Sequence, residues 1–168
     1  MKVAVVISTP ATAPSDFSAL LRAVAAIARD YVFIGPQTLR YPPEVPVRSA
    51  DSLHELELLK QALLWAQDQP VLLLSAGLTS PSPELARYLD FVRAGFDAVI
   101  PMVDSATIQP LFAMYAPTCK MPVSAAISAG KLTISDILDG LKVRYVDPRE
   151  AAKFGDLSSM LGPVRHLR

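Results

Sequence analysis

Residues 70–92 read PVLLLSAGLTSPSPELARYLDFV, and the order of signals in this stretch decides the fold. Val71, Leu72, Leu73 and Leu74 form a short unbroken apolar run, the pattern of a central parallel strand covered on both faces. The run stops at Ser75-Ala76-Gly77, where small residues let the chain turn or a ligand come close. A helix start follows: Ser82 suits the cap, Pro83 the first turn, and Glu84 the positive end of the helix dipole. Leu85, Tyr88, Leu89 and Val92 then recur at helical spacing, and Gly95 closes the segment. Strand, loop and helix in that order predict an open α/β sheet, whose ligands gather at the carboxyl ends of the strands. The 75–82 loop is therefore the first place to look for function.

Working outward, residues 2–7 read as a first buried strand closed by Ser8-Thr9-Pro10. Ser15 or Asp16 opens a helix with Phe17, Leu20, Leu21, Val24 and Ile27 on one face, and residues 31–34 form the next strand. A proline-rich connection over 37–50 carries a short edge-like segment at 45–47. Asp51 or Ser52 is then expected to cap a helix, Ser52 and Glu55 making a capping box, with His54 exposed on its first turn. Residues 96–103 and 109–115 read as two strands around a turn at Asp104, an antiparallel excursion at the end of an otherwise parallel sheet. A helix over 122–129, a short helix near 135–141, a last strand over 142–146 and a helix opened by Asp147-Pro148 complete the pattern. The expected fold class is α/β, a three-layer sandwich with a mainly parallel twisted sheet and one antiparallel excursion, as a single domain over 1–168.

Composition narrows the function. A chain of 168 residues, 51% hydrophobic and 19% charged, can bury a core of its own. Sixteen basic residues balance sixteen acidic ones, which argues against nucleic acid as a partner, since that binding relies on releasing counterions from phosphates. Cys119, the single cysteine, excludes an internal disulfide and fits a reducing cytoplasmic setting. The first apolar run is too short for a signal peptide and none approaches membrane-spanning length, so neither secretion nor a membrane is expected. No paired cysteines, no His-Glu-x-x-His helix and no Gly-x-Ser-x-Gly elbow occur.

The Ser75-Ala76-Gly77 loop with Ser82-Pro83-Glu84-Leu85 resembles the central segment of the molybdenum cofactor guanylyltransferases and related nucleotidyltransferases. The resemblance continues in order through Asp97-Ala98-Val99-Ile100-Pro101, Gln109-Pro110-Leu111-Phe112-Ala113-Met114-Tyr115 and Val143-Arg144-Tyr145-Val146-Asp147. It implies a nucleotide-diphospho-sugar-transferase-like fold and, for an active member, GTP with magnesium joined to molybdopterin. By that resemblance Ser8, Thr9, Asp51, Ser75 and Gly77 are the candidate nucleotide-side residues. Asp104 and Gln109 are the candidates on the acceptor side, and no residue is assigned a catalytic or metal-binding role.

The family's glycine-rich loop with its arginine and lysine is missing from positions 8–15, which offer only the hydroxyls of Ser8, Thr9 and Thr12 or plain turn chemistry. Aligned through Ser82-Pro83-Glu84-Leu85, Gly77 stands where the family places its magnesium-holding aspartate, and Ser75 has only a neutral hydroxyl. The tail over 160–168 keeps no carboxylate or asparagine where the family often has a second ligand, and His166 between Arg165 and Leu167 reads as a solvated terminus. The plainer readings, which are preferred, make Asp51 a helix cap, Asp104 a turn residue and Gln109 an exposed strand-edge residue. The resulting expectation is a guanylyltransferase-like protein with weak or no nucleotidyl transfer. The alternative is a non-catalytic binding protein for molybdopterin, a nucleotide or a protein partner.

Overall fold

The computed structural model describes residues 1–9, 13–14, 16–78, 80–154 and 165–166. β1 (Lys2–Val6) is followed by α1 (Phe17–Ile27) and β2 (Asp30–Gly35), and β1 pairs in parallel with β2. β3 (Val47–Ser49) adds a parallel edge strand to β2, two residues later than the segment expected at 45–47. Next come α2 (Glu55–Ala66), β4 (Val71–Ser75) and α3 (Pro83–Phe91), and β4 lies parallel to β1 on its other side. The remaining main-sheet elements are β5 (Ala98–Pro101), β7 (Phe112–Tyr115) and β8 (Val143–Val146), giving the order β3-β2-β1-β4-β7-β5-β8.

The antiparallel strand is not at the end of the sheet. β7 lies between β4 and β5 and runs antiparallel to both, so the excursion is an interior strand. The reason is that β7 is apolar at every position and is buried at every position, a pattern suited to the middle of a sheet. Residues 109–111, read as the start of that strand, instead form a corner leading into it.

Alternation along the strands divides the core. Val3, Val5, Phe33, Leu72 and Leu74 pack with α1, α3 and the short α5 (Pro148–Ala151) on one face. Ala4, Val6, Val32, Ile34, Val71 and Leu73 pack with α2, α4 (Lys120–Ser128) and a 3-10 segment, Ile134–Gly140, on the other. The three-layer α/β arrangement is thus present.

Several helix ends differ from the sequence reading. α2 begins after His54, which is exposed but precedes the helix; Ser52 Oγ only accepts from the His54 N–H at 3.3 Å. Its expected partner Glu55 is turned inward instead, where it is 5% exposed and accepts from the Ile134 N–H at 3.1 Å. The capping box forms between Thr133 and Asp136 at the 3-10 segment. α4 starts two residues before Pro122, continuing from a 3-10 turn over Pro117–Cys119. Ser82 does cap α3, accepting from the Leu85 N–H at 3.1 Å, with Pro83 in the first turn.

Gly35, at the end of β2, is required by close approach. A Cβ there would sit 2.5 Å from the Tyr41 hydroxyl and 3.0 Å from Ile7 Cβ. Tyr41 in turn belongs to an aromatic group with Phe17 and Phe33 that fastens the loop after β2 to α1.

Candidate functional site

The carboxyl ends of β1 and β4 meet where an α/β sheet takes its ligands. β1 continues into Ile7, whose N–H donates to the Ile34 carbonyl at 2.9 Å, and Ser8 and Thr9 follow, half-buried and exposed respectively. β4 ends at Ser75, and the Ala76 N–H donates to the Val6 carbonyl at 2.9 Å, which ties the loop after β4 to the end of β1. Ser8, Thr9, Ser75 and Gly77 are therefore brought to one region of the sheet edge. Thr12 and Ser15 lie outside the described residues.

Ser75 is fully buried. Its N–H donates to the Leu111 carbonyl at 2.8 Å, its Oγ accepts from the Gly77 N–H at 3.2 Å, and its carbonyl accepts from the Leu78 N–H at 3.2 Å. The loop is closed on itself by these bonds, with the Ala76 and Leu78 side chains buried beside it. Magnesium demands hard oxygen donors in near-octahedral array, and this loop offers one buried neutral hydroxyl, a methyl group and a glycine. The donor set does not fit the ion. Among the described residues there is also no group of three histidine, cysteine or acidic side chains placed to hold a metal.

The start of α1 carries an observation that sequence reading treated only as a cap. Asp16 is the N-cap, and one of its carboxylate oxygens accepts from the Ser18 N–H at 2.8 Å and from the Ser18 hydroxyl at 2.5 Å. The Ser18 hydroxyl, the Ser18 N–H and, more weakly, Arg22 hold its carboxyl below the usual aspartate range. The positive end of the helix that follows the first strand is thus occupied by the chain's own anion.

Asp51 is exposed before α2 and does not cap it; the actual cap position, His54, makes no side-chain capping bond. Of the two residues expected on the acceptor side, Asp104 serves its turn. Its two carboxylate oxygens accept from the Ala106 N–H and the Thr107 hydroxyl, each at 2.8 Å. Gln109 is not an exposed strand-edge residue: it is fully buried, and its Oε1 accepts from the Leu111 N–H at 3.1 Å. The Tyr115 hydroxyl donates to the Pro110 carbonyl at 2.7 Å. Gln109 and Tyr115 together fix the 109–111 corner that receives the Ser75 N–H, so this corner and the central loop are one hydrogen-bonded unit.

The tail also returns to this edge. β6 (Thr107–Ile108) pairs antiparallel with β9 (Arg165–His166), Thr107 opposite His166 and Ile108 opposite Arg165. The backbone of His166 is therefore part of a ladder. No periodic signal marks a strand of two residues, and only the RHLR composition distinguished this tail. The rest of the tail segment, residues 155–164 and 167–168, is outside the described residues.

No family model matches the chain. A stretch of 75 residues is 31% identical to a protein of Pelotomaculum thermopropionicum described as "Probable molybdenum cofactor guanylyltransferase". The chain resembles the molybdenum cofactor guanylyltransferases. This match spans 45% of the guanylyltransferase-like chain and 36% of the relative's own length. Its fold superposes on the crystal structure of molybdopterin-guanine dinucleotide biosynthesis protein A from Archaeoglobus fulgidus with a TM-score of 0.76 and 22% identity, over 97% of this chain and 92% of that one. It also superposes on 2-C-methyl-D-erythritol 4-phosphate cytidylyltransferase from Thermus thermophilus with a TM-score of 0.60 and 14% identity, over 94% and 99% of the two chains. The α/β fold is thus shared with both of these solved structures. No helix among the described residues is long and apolar enough to cross a membrane.

Proposed function

We propose that the chain is a guanylyltransferase-like protein of molybdenum cofactor metabolism with weak or no nucleotidyl transfer. The observation that carries the reading is the loop at the end of β4, closed by Ser75 on itself and followed by Ala76 and Gly77. Nucleotidyl transfer is mainly positioning plus neutralisation of phosphate charge, and this loop supplies no carboxylate to hold the neutralising magnesium. What the chain keeps is the scaffold: a sheet edge where Asp104, the 109–111 corner and the central loop are joined, suited to a molybdopterin-like or nucleotide ligand.

Asp16 favours the second reading, a non-catalytic binding protein on the same fold. An ionised carboxylate at the start of α1 repels a triphosphate where the fold would otherwise cradle it. The readings separate by calorimetry with GTP and CTP, each with and without magnesium, followed by assay of pyrophosphate release with molybdopterin present. Metal-dependent nucleotide binding with slow pyrophosphate release supports residual transfer. Ligand binding unaffected by magnesium, with no pyrophosphate, supports the binding protein. Turnover at the rate of an ordinary nucleotidyltransferase would overturn both, because the site as built lacks the charge to sustain it.

A further inference from the structure

Three of the six large hydrophobic side chains exposed among the described residues, Leu64, Met121 and Leu132, belong to one helical layer. Leu64 is on α2, Met121 on α4, and Leu132 follows α4. The two helices run side by side in opposite directions. Lys120 Nζ, at the start of α4, is 3.4 Å from Asp68 Oδ1, just past the end of α2. At the other end, the Leu56 N–H in the first turn of α2 donates to the Leu132 carbonyl at 3.2 Å. Both helices bury a face against the same side of the sheet, Leu59, Leu63 and Ala66 from α2 and Val123 and Ala126 from α4. Leu64 and Met121 lie off those faces, 48% and 79% exposed, and so point outward from the layer.

We propose that this outer face docks a second copy of the chain, the two α2–α4 layers meeting in a two-fold, isologous contact. The inference is independent of the guanylyltransferase-like reading, because the face belongs to a helical layer and not to the carboxyl ends of the strands. The arrangement of charge selects the occupant. A two-fold axis normal to the layer lays the Asp68 end of one copy against the Leu132 end of the other. The Asp68 side chain is 100% exposed. Lys131, beside Leu132, is exposed too, and its Nζ donates to the Asp136 carbonyl at 3.1 Å. Each copy therefore offers an anion to the other's cation at both ends of the contact, with Leu64 and Met121 turned toward the end that carries Leu132. Zero formal net charge leaves no overall repulsion between copies. Its 12 residues make α2 about 18 Å long, and two helices about 10 Å apart present a patch about 20 Å wide. That is small for a specific interface, which places the dimer in the micromolar range or weaker.

The test is sedimentation equilibrium of the full chain from about 1 to about 500 µM, a span set by the size of the patch. The wild-type chain should pass from monomer to dimer across it. Met121→Glu should weaken the dimer about tenfold or more, because association would bury an unpaired carboxylate. Phe91→Glu, at an 83% exposed position of α3 on the other side of the sheet, should leave the dimer unchanged. Asp68→Lys should weaken it about fivefold by setting like charges opposite each other, and adding Lys131→Asp should restore most of that loss. Thermal melts establish that each variant folds. A wild-type chain that stays monomeric throughout overturns the proposal and leaves the face to a different protein. A dimer indifferent to Met121→Glu overturns it as well, and so does an Asp68→Lys, Lys131→Asp chain that associates no better than Asp68→Lys alone.

Discussion

Replacing Tyr115 with phenylalanine removes one oxygen from the middle of the molecule and nothing else. Tyr115 is fully buried in β7, and its hydroxyl donates to the Pro110 carbonyl at 2.7 Å. The substitution leaves no cavity of consequence, so the cost is that of the hydrogen bond. A neutral buried bond contributes about 1 kcal/mol net, rising to about 3 kcal/mol if the orphaned carbonyl stays dry. In a chain of this length each kcal/mol lowers Tm by about 2–4 °C. Urea and thermal unfolding of Tyr115→Phe should show that loss, while Tyr145→Phe, on a residue 39% exposed, stays within about 0.5 kcal/mol of wild type. Amide exchange supplies the site-specific half of the test: the Ser75 N–H, bonded to the Leu111 carbonyl, should exchange faster in Tyr115→Phe because its acceptor is on the loosened corner. Wild-type stability together with unchanged Ser75 exchange would refute the idea that Tyr115 braces the central loop through residues 109–111.

Gly35→Ala should destabilise by about 1–3 kcal/mol in urea unfolding, because the new methyl group meets the Tyr41 hydroxyl and Ile7; a neutral result would mean that Tyr41 swings away at no cost. The Thr118 hydroxyl, first, and the Lys142 N–H hold the Asp97 carboxyl below its ordinary value of 3.8. The stability it contributes is therefore complete above about pH 4 and is lost as pH falls from 3.8 through the lower folded value, so Asp97→Asn should flatten that part of an acid-unfolding curve. Burial and the nearby Asp97 push the Cys119 thiol up to about 12; at pH 8 it should react with a disulfide reagent only in denaturant, and fast modification of the native chain would contradict the packing. The calorimetric comparison of GTP with and without magnesium should show no metal-dependent heat if the central loop has lost its ion-holding role.

Most of the fold was legible because its strands are apolar runs and its helices amphipathic. Leu85 and Leu89 are buried on α3, and Leu20 and Val24 on α1, as their spacing required. The place of β7 was not legible, since four apolar residues in a row fit an interior strand of either direction, and only tertiary pairing decides between them. Glu55 misled for a related reason: a glutamate three residues after a serine has the form of a capping box, yet its carboxylate is used 79 residues away at Ile134. At the site, the sequence placed Ser75 and Gly77 in the turn after β4, where the structure has them. It did not reveal that Gln109 is buried, because a glutamine beside a proline carries no mark of its exposure. Asp16 was visible as a helix cap, and the structure puts it at the start of the helix that follows β1.

The interior position of β7 has a consequence for how the chain is made. A nascent chain emerging only as far as residue 108 already carries β1, β2, β3, β4 and β5, yet β4 lacks its partner on one side and β5 has no neighbour in the sheet. Both stay as bare apolar strand edges until Phe112 to Tyr115 leave the ribosome and join them, the sort of transient surface that invites self-association during synthesis. Fragments ending before residue 112 should accordingly be captured by chaperones or precipitate, and those extending through β8 should not.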